Sequence, residues 1–217
     1  MAKKTALIIV DPQNDFLLKT GSLYVPDGEL AVPDMNALRA MLKAKGVVDV
    51  FITQDWHPDN HISFYTQHPG TKALDTKILE DGMAQTMWPP HCTQNSQGAA
   101  FHADLVVEPT DTIVQKGTVR TVDSYSGFAS NDGVKERTQL EPMLKARGVT
   151  DVIVCGVAFE YCVAFTALDA AKCGFGVTIV RSATRGISPS DCAAKTAEME
   201  ARNIRVVESV ADAVANV

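Results

Sequence analysis

No stretch of the 217 residues approaches the run of about eighteen apolar residues that a membrane-crossing helix requires, so no membrane role is expected. Neither sign of charge dominates any segment. The 20 Lys and Arg against 26 Asp and Glu leave a net charge of −6 without clustering, which makes neither nucleic acid nor an anionic membrane surface an evident partner. A disulfide scaffold is also excluded, because the five cysteines are odd in number and spread from Cys92 to Cys192 through a mid-sized chain. There is no internal repeat, low-complexity tract or linker, and Met1-Ala2-Lys3-Lys4 leads straight into a predicted strand where a signal peptide would carry an apolar core. These absences predict an intracellular, cytoplasmic protein.

What is present fits a globular chain: 46% hydrophobic and 21% charged residues exclude general disorder. The length suits one domain over residues 1–217. The most telling stretch is Val152 to Val163, Val-Ile-Val-Cys-Gly-Val-Ala-Phe-Glu-Tyr-Cys-Val. A β-branched run ends at Gly156, and helical spacing of apolar and small residues then runs from Tyr161 to Cys173 before Gly174 stops it. Cys162 therefore falls in the first turn of a predicted helix, where the dipole favours an anion and the thiol should ionise more easily. The plainer alternative is a small buried core residue.

Along the chain, Thr5 to Val10 is an apolar run of the kind buried on both faces of a parallel sheet. Pro33 to Lys45 is an amphipathic helix closed by Gly46, and Val47 to Thr53 is the next strand. From about residue 58 to 109 the pattern fails, with five prolines and only a weak helical hint near Lys77 to Leu79. A stretch this long without clear elements is usually a functional excursion. All five histidines, His57, His61, His68, His91 and His102, lie in it or at its edge. Thr112 to Gln115 is a strand ending at Lys116-Gly117, and a helix is expected from about Val134 to Ala146. After the Cys162 stretch come a strand at Gly176 to Val180, a helix at Ser190 to Ala201, a strand at Ile204 to Val207 and a short helix at Ala211 to Ala215. The alternation predicts an α/β fold, a three-layer, doubly wound, mainly parallel sheet with helices on both faces.

Ligands of such sheets bind beyond the carboxyl ends of the strands. Polar residues at the predicted strand ends are Asp11, Asp55 with His57, Lys116, and the turn leading to Cys162. An aspartate, a lysine and a cysteine gathered at one edge can do acyl chemistry, the carboxylate taking the thiol proton and the ammonium steadying the charges. Taken singly, Asp11 before Pro12 could shape a turn and Lys116 could be a solvated strand end. Asp55-x-His57 suits a metal, since one carboxylate with two imidazoles serves Zn²⁺, Fe²⁺ or Mn²⁺. Spacing alone leaves His61, His68, His91 and His102 all open as the third ligand.

With these residues in this order, together with Asp11-Pro12-Gln13-Asn14-Asp15-Phe16, Asp55-Trp56-His57-Pro58, Trp88-Pro89-Pro90-His91-Cys92 and Asp123-Ser124-Tyr125-Ser126, the chain resembles the nicotinamidases of the isochorismatase-like hydrolase family over essentially its whole length. The resemblance implies a catalytic triad of Asp11, Lys116 and Cys162 and one divalent metal, Zn²⁺ before Fe²⁺ or Mn²⁺, on Asp55, His57 and His91. It implies a cis peptide between Val157 and Ala158, an oxyanion hole from the N–H groups of Ala158 and Cys162, and substrate contacts from Phe16, Trp88, Val157 and Tyr161. The activity implied is hydrolysis of nicotinamide to nicotinate and ammonia through a thioester, in NAD salvage, with a homo-oligomer left open. Phe159-Glu160 stands where many relatives carry Thr-Asp. The competing readings are an N-carbamoyl amidase using the same triad, an isochorismatase, which lacks the cysteine and metal residues, and a non-haem iron oxygenase, which would leave Lys116 and Cys162 idle.

Overall fold

In strand β1 (Thr5–Val10) successive side chains go to opposite faces, and both faces are covered. Leu7 and Ile9 pack into one apolar cluster with Met35, Leu38 and Leu42. Ala6, Ile8 and Val10 pack into another with Leu140, Leu144, Val163 and Ala167. Burial on both sides is why the run reads as continuously apolar. In the computed structural model, which describes residues 3–215 and 217, the chain builds a six-stranded sheet around this strand. Met1, Ala2 and Asn216 lie outside the described residues, and with Met1 and Ala2 goes half of the lead-in that the sequence places before β1.

The elements in order are β1, α1 (Asn14–Leu17), α2 (Val32–Ala44), β2 (Val50–Asp55), β3 (Thr76–Ile78), β4 (Ala84–Thr86), β5 (Thr112–Lys116), α3 (Leu140–Ala146), β6 (Asp151–Gly156), α4 (Ala164–Lys172), β7 (Gly176–Thr184), α5 (Pro189–Glu200), β8 (Arg205–Val207) and α6 (Val210–Val214). The sheet order is β5-β2-β1-β6-β7-β8, with every pairing parallel. From β1 the chain winds first towards β5 and then, at β6, towards β8, so the switch in winding lies between β1 and β6. A ligand crevice belongs there. Residues of α2 and α6 join the cluster on one face of the sheet, and residues of α3, α4 and α5 join the one on the other. This is the expected three-layer, doubly wound fold.

Three local expectations need correction. The strand expected at Val47 to Thr53 is Val50–Asp55, because Val47 is still tied to the end of α2, its N–H donating to Leu42 O. The helical hint at Lys77 to Leu79 is instead β3 of a two-stranded antiparallel hairpin, turned through Asp81-Gly82 with Gly82 at φ +83°. The helix expected from Val134 begins only at Leu140. Residues 129–138 are held off the helix: Ala129 bridges Arg137, Ser130 pairs with the backbone of Glu136, and Thr138 Oγ1 donates to Gly127 O. Side chains that bond local backbone compete with helix formation, and here they win.

Candidate active site

Strand β1 runs out into Asp11, at φ +47°. Its N–H donates to Thr53 Oγ1 of β2 (3.1 Å), and the Thr53 hydroxyl donates to Asp11 Oδ1 (2.6 Å), so the neighbouring strand fixes the carboxylate. Asp55 and Lys116 are register partners at the ends of β2 and β5. Gln13 clamps the Asp55 backbone, accepting from its N–H (2.8 Å) and donating to its carbonyl (2.7 Å). Lys116 is wholly buried, and its three ammonium protons are directed to Asp55 Oδ1 (2.5 Å), Ser124 O (2.9 Å) and Cys162 Sγ (3.5 Å). Asp11 Oδ2, 3.0 Å from Lys116 Nζ, is thereby left without a hydrogen bond of its own. Oxygens of Asp11 and Asp55 and the Cys162 sulfur lie within 4.8 Å of one another.

Burial and charge set the protonation of this cluster. Burial pushes the Asp11 carboxyl up from 3.8 to about 6 against the pull of the Lys116 ammonium. Burial also works against charge on Lys116, but Asp11 and Asp55 outweigh it and hold the ammonium well above its ordinary range. The Cys162 thiol is not acidified as its place in the sequence suggests. Burial pushes it well up, and Lys116 offsets only part of that. A helix terminus is worth about 0.3–1 kcal/mol, whereas full burial can move a pKa by about 3–5 units, so desolvation decides. The turn also differs from the expected one: Phe159–Val163 forms a π-helical turn that leads into α4. Gly156 before it, at φ +119°, leaves no room for a Cβ, which would lie 2.1 Å from Val10 O. The Val157–Ala158 peptide is cis.

A second cluster shares Asp55. Its Oδ2 lies 3.6 Å from His57 Nε2 and 3.9 Å from His91 Nε2. Each imidazole has its Nδ1 on a backbone carbonyl, His57 on Gly117 O (2.9 Å) and His91 on Pro89 O (2.8 Å), which puts a proton on Nδ1 and leaves Nε2 to face Asp55. Burial, and the positive charge that His57 gains beside Asp55, hold His91 down at about 4, so its ring is neutral, while Asp55 raises His57 against its burial and a metal ion would have to displace the proton on His57 Nε2. Ligands about 2.0–2.2 Å from a tetrahedral Zn²⁺ stand about 3.4 Å apart, close to these separations. The donor set therefore fits a divalent metal. Two other sets among the described residues fit less well. In His57, His61 and Asp123, both His61 nitrogens are engaged by Ser63 Oγ and Val122 O, and both Asp123 oxygens by Ser124 N and Gln85 Nε2. In Asp11, Asp55 and Cys162, the Lys116 ammonium already fills the centre.

Residues 5–211 match the model of the isochorismatase domain. The nicotinamidase of Escherichia coli is 41% identical over 90% of this chain and 91% of its own. Among solved structures, an Acinetobacter baumannii nicotinamidase/pyrazinamidase superposes with a TM-score of 0.89 at 37% identity, over 98% of this chain and 99% of that one. A Pyrococcus horikoshii pyrazinamidase in complex with zinc gives 0.78 at 38%, over 94% and 99%. The chain belongs to the isochorismatase-domain family.

In this member of the family, Asp55, His91 and Cys162 line a cavity of about 390 Å³ of free space, its mouth included, with Phe16, Trp88, Ala158 and Tyr161 among its walls. Val157 is placed differently from the sequence expectation: its side chain is wholly buried in the core and its N–H donates to Val10 O (3.0 Å). Several residues seen at the site have no role in the sequence-based expectation. Leu23, Val25, Tyr125 and Ile187 also line the cavity, and Trp88 Nε1 donates to Tyr125 Oη (3.1 Å). Ile187 is brought in by Glu160, whose carboxylate accepts from the N–H groups of Ile187 (2.8 Å) and Ser188 (2.7 Å). The unusual Glu160 was the available signal for that contact. Thr53 and Gln13 were readable only as strand and turn residues.

Proposed function

We propose that this chain is a nicotinamidase, a cysteine amidohydrolase that releases ammonia from nicotinamide through a thioester. The observation that carries the reading is the shared Asp55: one oxygen binds the Lys116 ammonium of an Asp-Lys-Cys cluster, and the other faces two imidazoles preset as ligands. The relatives at 37–41% identity named as nicotinamidases support the substrate, and a zinc-bound relative supports the metal.

Asp11, whose Oδ2 is in ion-pair contact with Lys116 and which stands beside the Cys162 sulfur, has the raised proton affinity of a base. It takes the thiol proton as Cys162 Sγ bonds to the carboxamide carbon, so no standing thiolate is needed. Lys116 keeps the charge of the cluster balanced while the proton moves. The carbonyl oxygen becomes an oxyanion, held by the N–H groups of Ala158 and Cys162, each worth on the order of 3 kcal/mol in such a role. Asp11 returns the proton to the departing ammonia, leaving an acyl-Cys162 thioester. Water, deprotonated by Asp11, then cleaves the thioester to the carboxylate and restores the thiol. Asp55, His57 and His91 would hold a divalent ion, zinc before iron or manganese, which would supply a Lewis-acid site for orienting the pyridine ring. Phe16, Trp88 and Tyr161 would wall the ring. We place the reaction in NAD salvage in the cytoplasm, carried out by one domain spanning the chain.

The test is ammonia release from nicotinamide by purified protein, metal-loaded and after chelation. Release that is lost with the metal and restored with zinc, and abolished in Cys162→Ala, supports the reading. No release by the zinc-loaded, reduced protein would overturn the substrate assignment and turn attention to N-carbamoyl substrates.

A further inference from the structure

Glu136 falls in the stretch before Leu140 that does not form the helix expected from Val134. Its side chain is buried, and four donors converge on the carboxylate. Oε2 accepts from Gly117 N (2.9 Å) and Ser124 Oγ (2.6 Å), while Oε1 accepts from Thr118 N (3.0 Å) and the Thr118 hydroxyl. Its backbone is fixed as well, through Ser130 on both its N–H and its carbonyl. Burial would raise this carboxyl, but the hydrogen bonds from Ser124 and Thr118 outweigh it and hold the group below its ordinary range, as an anion.

The donors are not arbitrary. Gly117 O is the acceptor that puts the His57 proton on Nδ1, and Ser124 O is one of the three acceptors of the Lys116 ammonium. Gly117 stands at φ +64°, and a Cβ there would lie 2.4 Å from the His57 ring, so the two are in close register. We propose that Glu136 is the positioning residue that couples the two halves of the site, setting His57 for metal through Gly117 and Lys116 for proton transfer through Ser124. The inference rests on the reading of the site given above. Glu136 touches none of the reacting groups. It acts by fixing the loop 117–124 from inside, where a glutamine, which has a single acceptor oxygen, would turn donors against donors.

The experiment compares the full-length chain with Glu136→Gln and Ser124→Ala, the latter removing one donor and keeping the carbonyl that Lys116 uses. Zinc affinity is measured by competition with a chromophoric chelator, kcat with nicotinamide at saturating zinc, and folding by thermal melts. Loss of such an outer partner typically costs about 10–100-fold in metal affinity or activity. Glu136→Gln should weaken zinc about tenfold and lower kcat about tenfold, and Ser124→Ala, which loosens the Lys116 side, should lower kcat roughly threefold, the worth of one hydrogen bond, and change zinc affinity less. A folded Glu136→Gln with wild-type zinc affinity and kcat, changed only in its melting temperature, overturns the proposal. Should Glu136→Gln not fold, the same result in Ser124→Ala overturns it. A wild-type chain that releases no ammonia while Glu136→Gln still weakens zinc would sink the nicotinamide reading and leave the positioning role standing.

Discussion

Asp11, Asp55 and Lys116 reach the site from the ends of three neighbouring parallel strands, whereas His91 and Trp88 come from a stretch between β2 and β5 that holds little regular structure. The first group is fixed by ladders and by a core on both faces of the sheet. The second is fixed by side chains that bond backbone across the chain. Asp15 accepts from Cys92 N (2.7 Å) and Ser22 N (3.1 Å), Asn14 donates to Gln97 O (2.8 Å), and Gln94 donates to Trp56 O (3.0 Å). The strand ends bear the charges that cannot be exposed without unfolding. The excursion bears the proposed ligand His91 and the cavity wall Trp88, both buried but placed outside the ladders of the sheet.

The sharpest test of that difference is Lys116→Met. It leaves Asp11 and Asp55 buried without their cation, and breaking a buried pair by removing one partner costs about 3–5 kcal/mol. Denaturant unfolding of metal-free protein should show that loss. The direction with pH follows from the sign of the shifts: without the ammonium both carboxyls hold their protons to higher pH, so the deficit is largest above neutrality and shrinks on acidification. Asp15→Ala should do less to stability, about 1 kcal/mol for hydrogen bonds at a partly exposed edge. It should weaken zinc about tenfold, because the Cys92 peptide next to His91 loses its anchor. If Asp15→Ala unfolded the protein as readily as Lys116→Met and left zinc affinity alone, the division between the two regions would fail.

The same division explains what could be read beforehand. Asp11, Lys116 and Cys162 were legible because each follows a short apolar run, and parallel strands buried on both faces read that way regardless of their partners. His91 could not be separated from His61, His68 or His102 by spacing, because the hairpin β3–β4 and the side-chain ties that place it have no periodicity. The helix expected from Val134 starts late for the related reason that apolar spacing over residues 134–146 satisfies a helix, while Ser130, Thr138 and the loop 117–124 offer the backbone and the Glu136 carboxylate better partners. The proton affinity of Cys162 was misjudged because a helix terminus is visible in sequence and depth of burial is not.

The finest distinction lies within the strand-borne group, between Asp11 and the threonine that holds it. In its proposed role as base Asp11 would act only when ionised, and burial raises its carboxyl to about 6. The ionised fraction grows with pH, so kcat/KM for nicotinamide should rise about tenfold per unit below pH 6 and level off above it. The Thr53 hydroxyl stabilises the carboxylate, and its hydrogen bond pulls that value down. Thr53→Val keeps the shape of the side chain and removes the donor, so the acid limb should move to higher pH while the plateau stays within a few-fold of wild type. An acid limb unmoved in Thr53→Val would mean that the limb reports another group, with the His57 and His91 imidazoles the first to be tested by repeating the profile at saturating zinc.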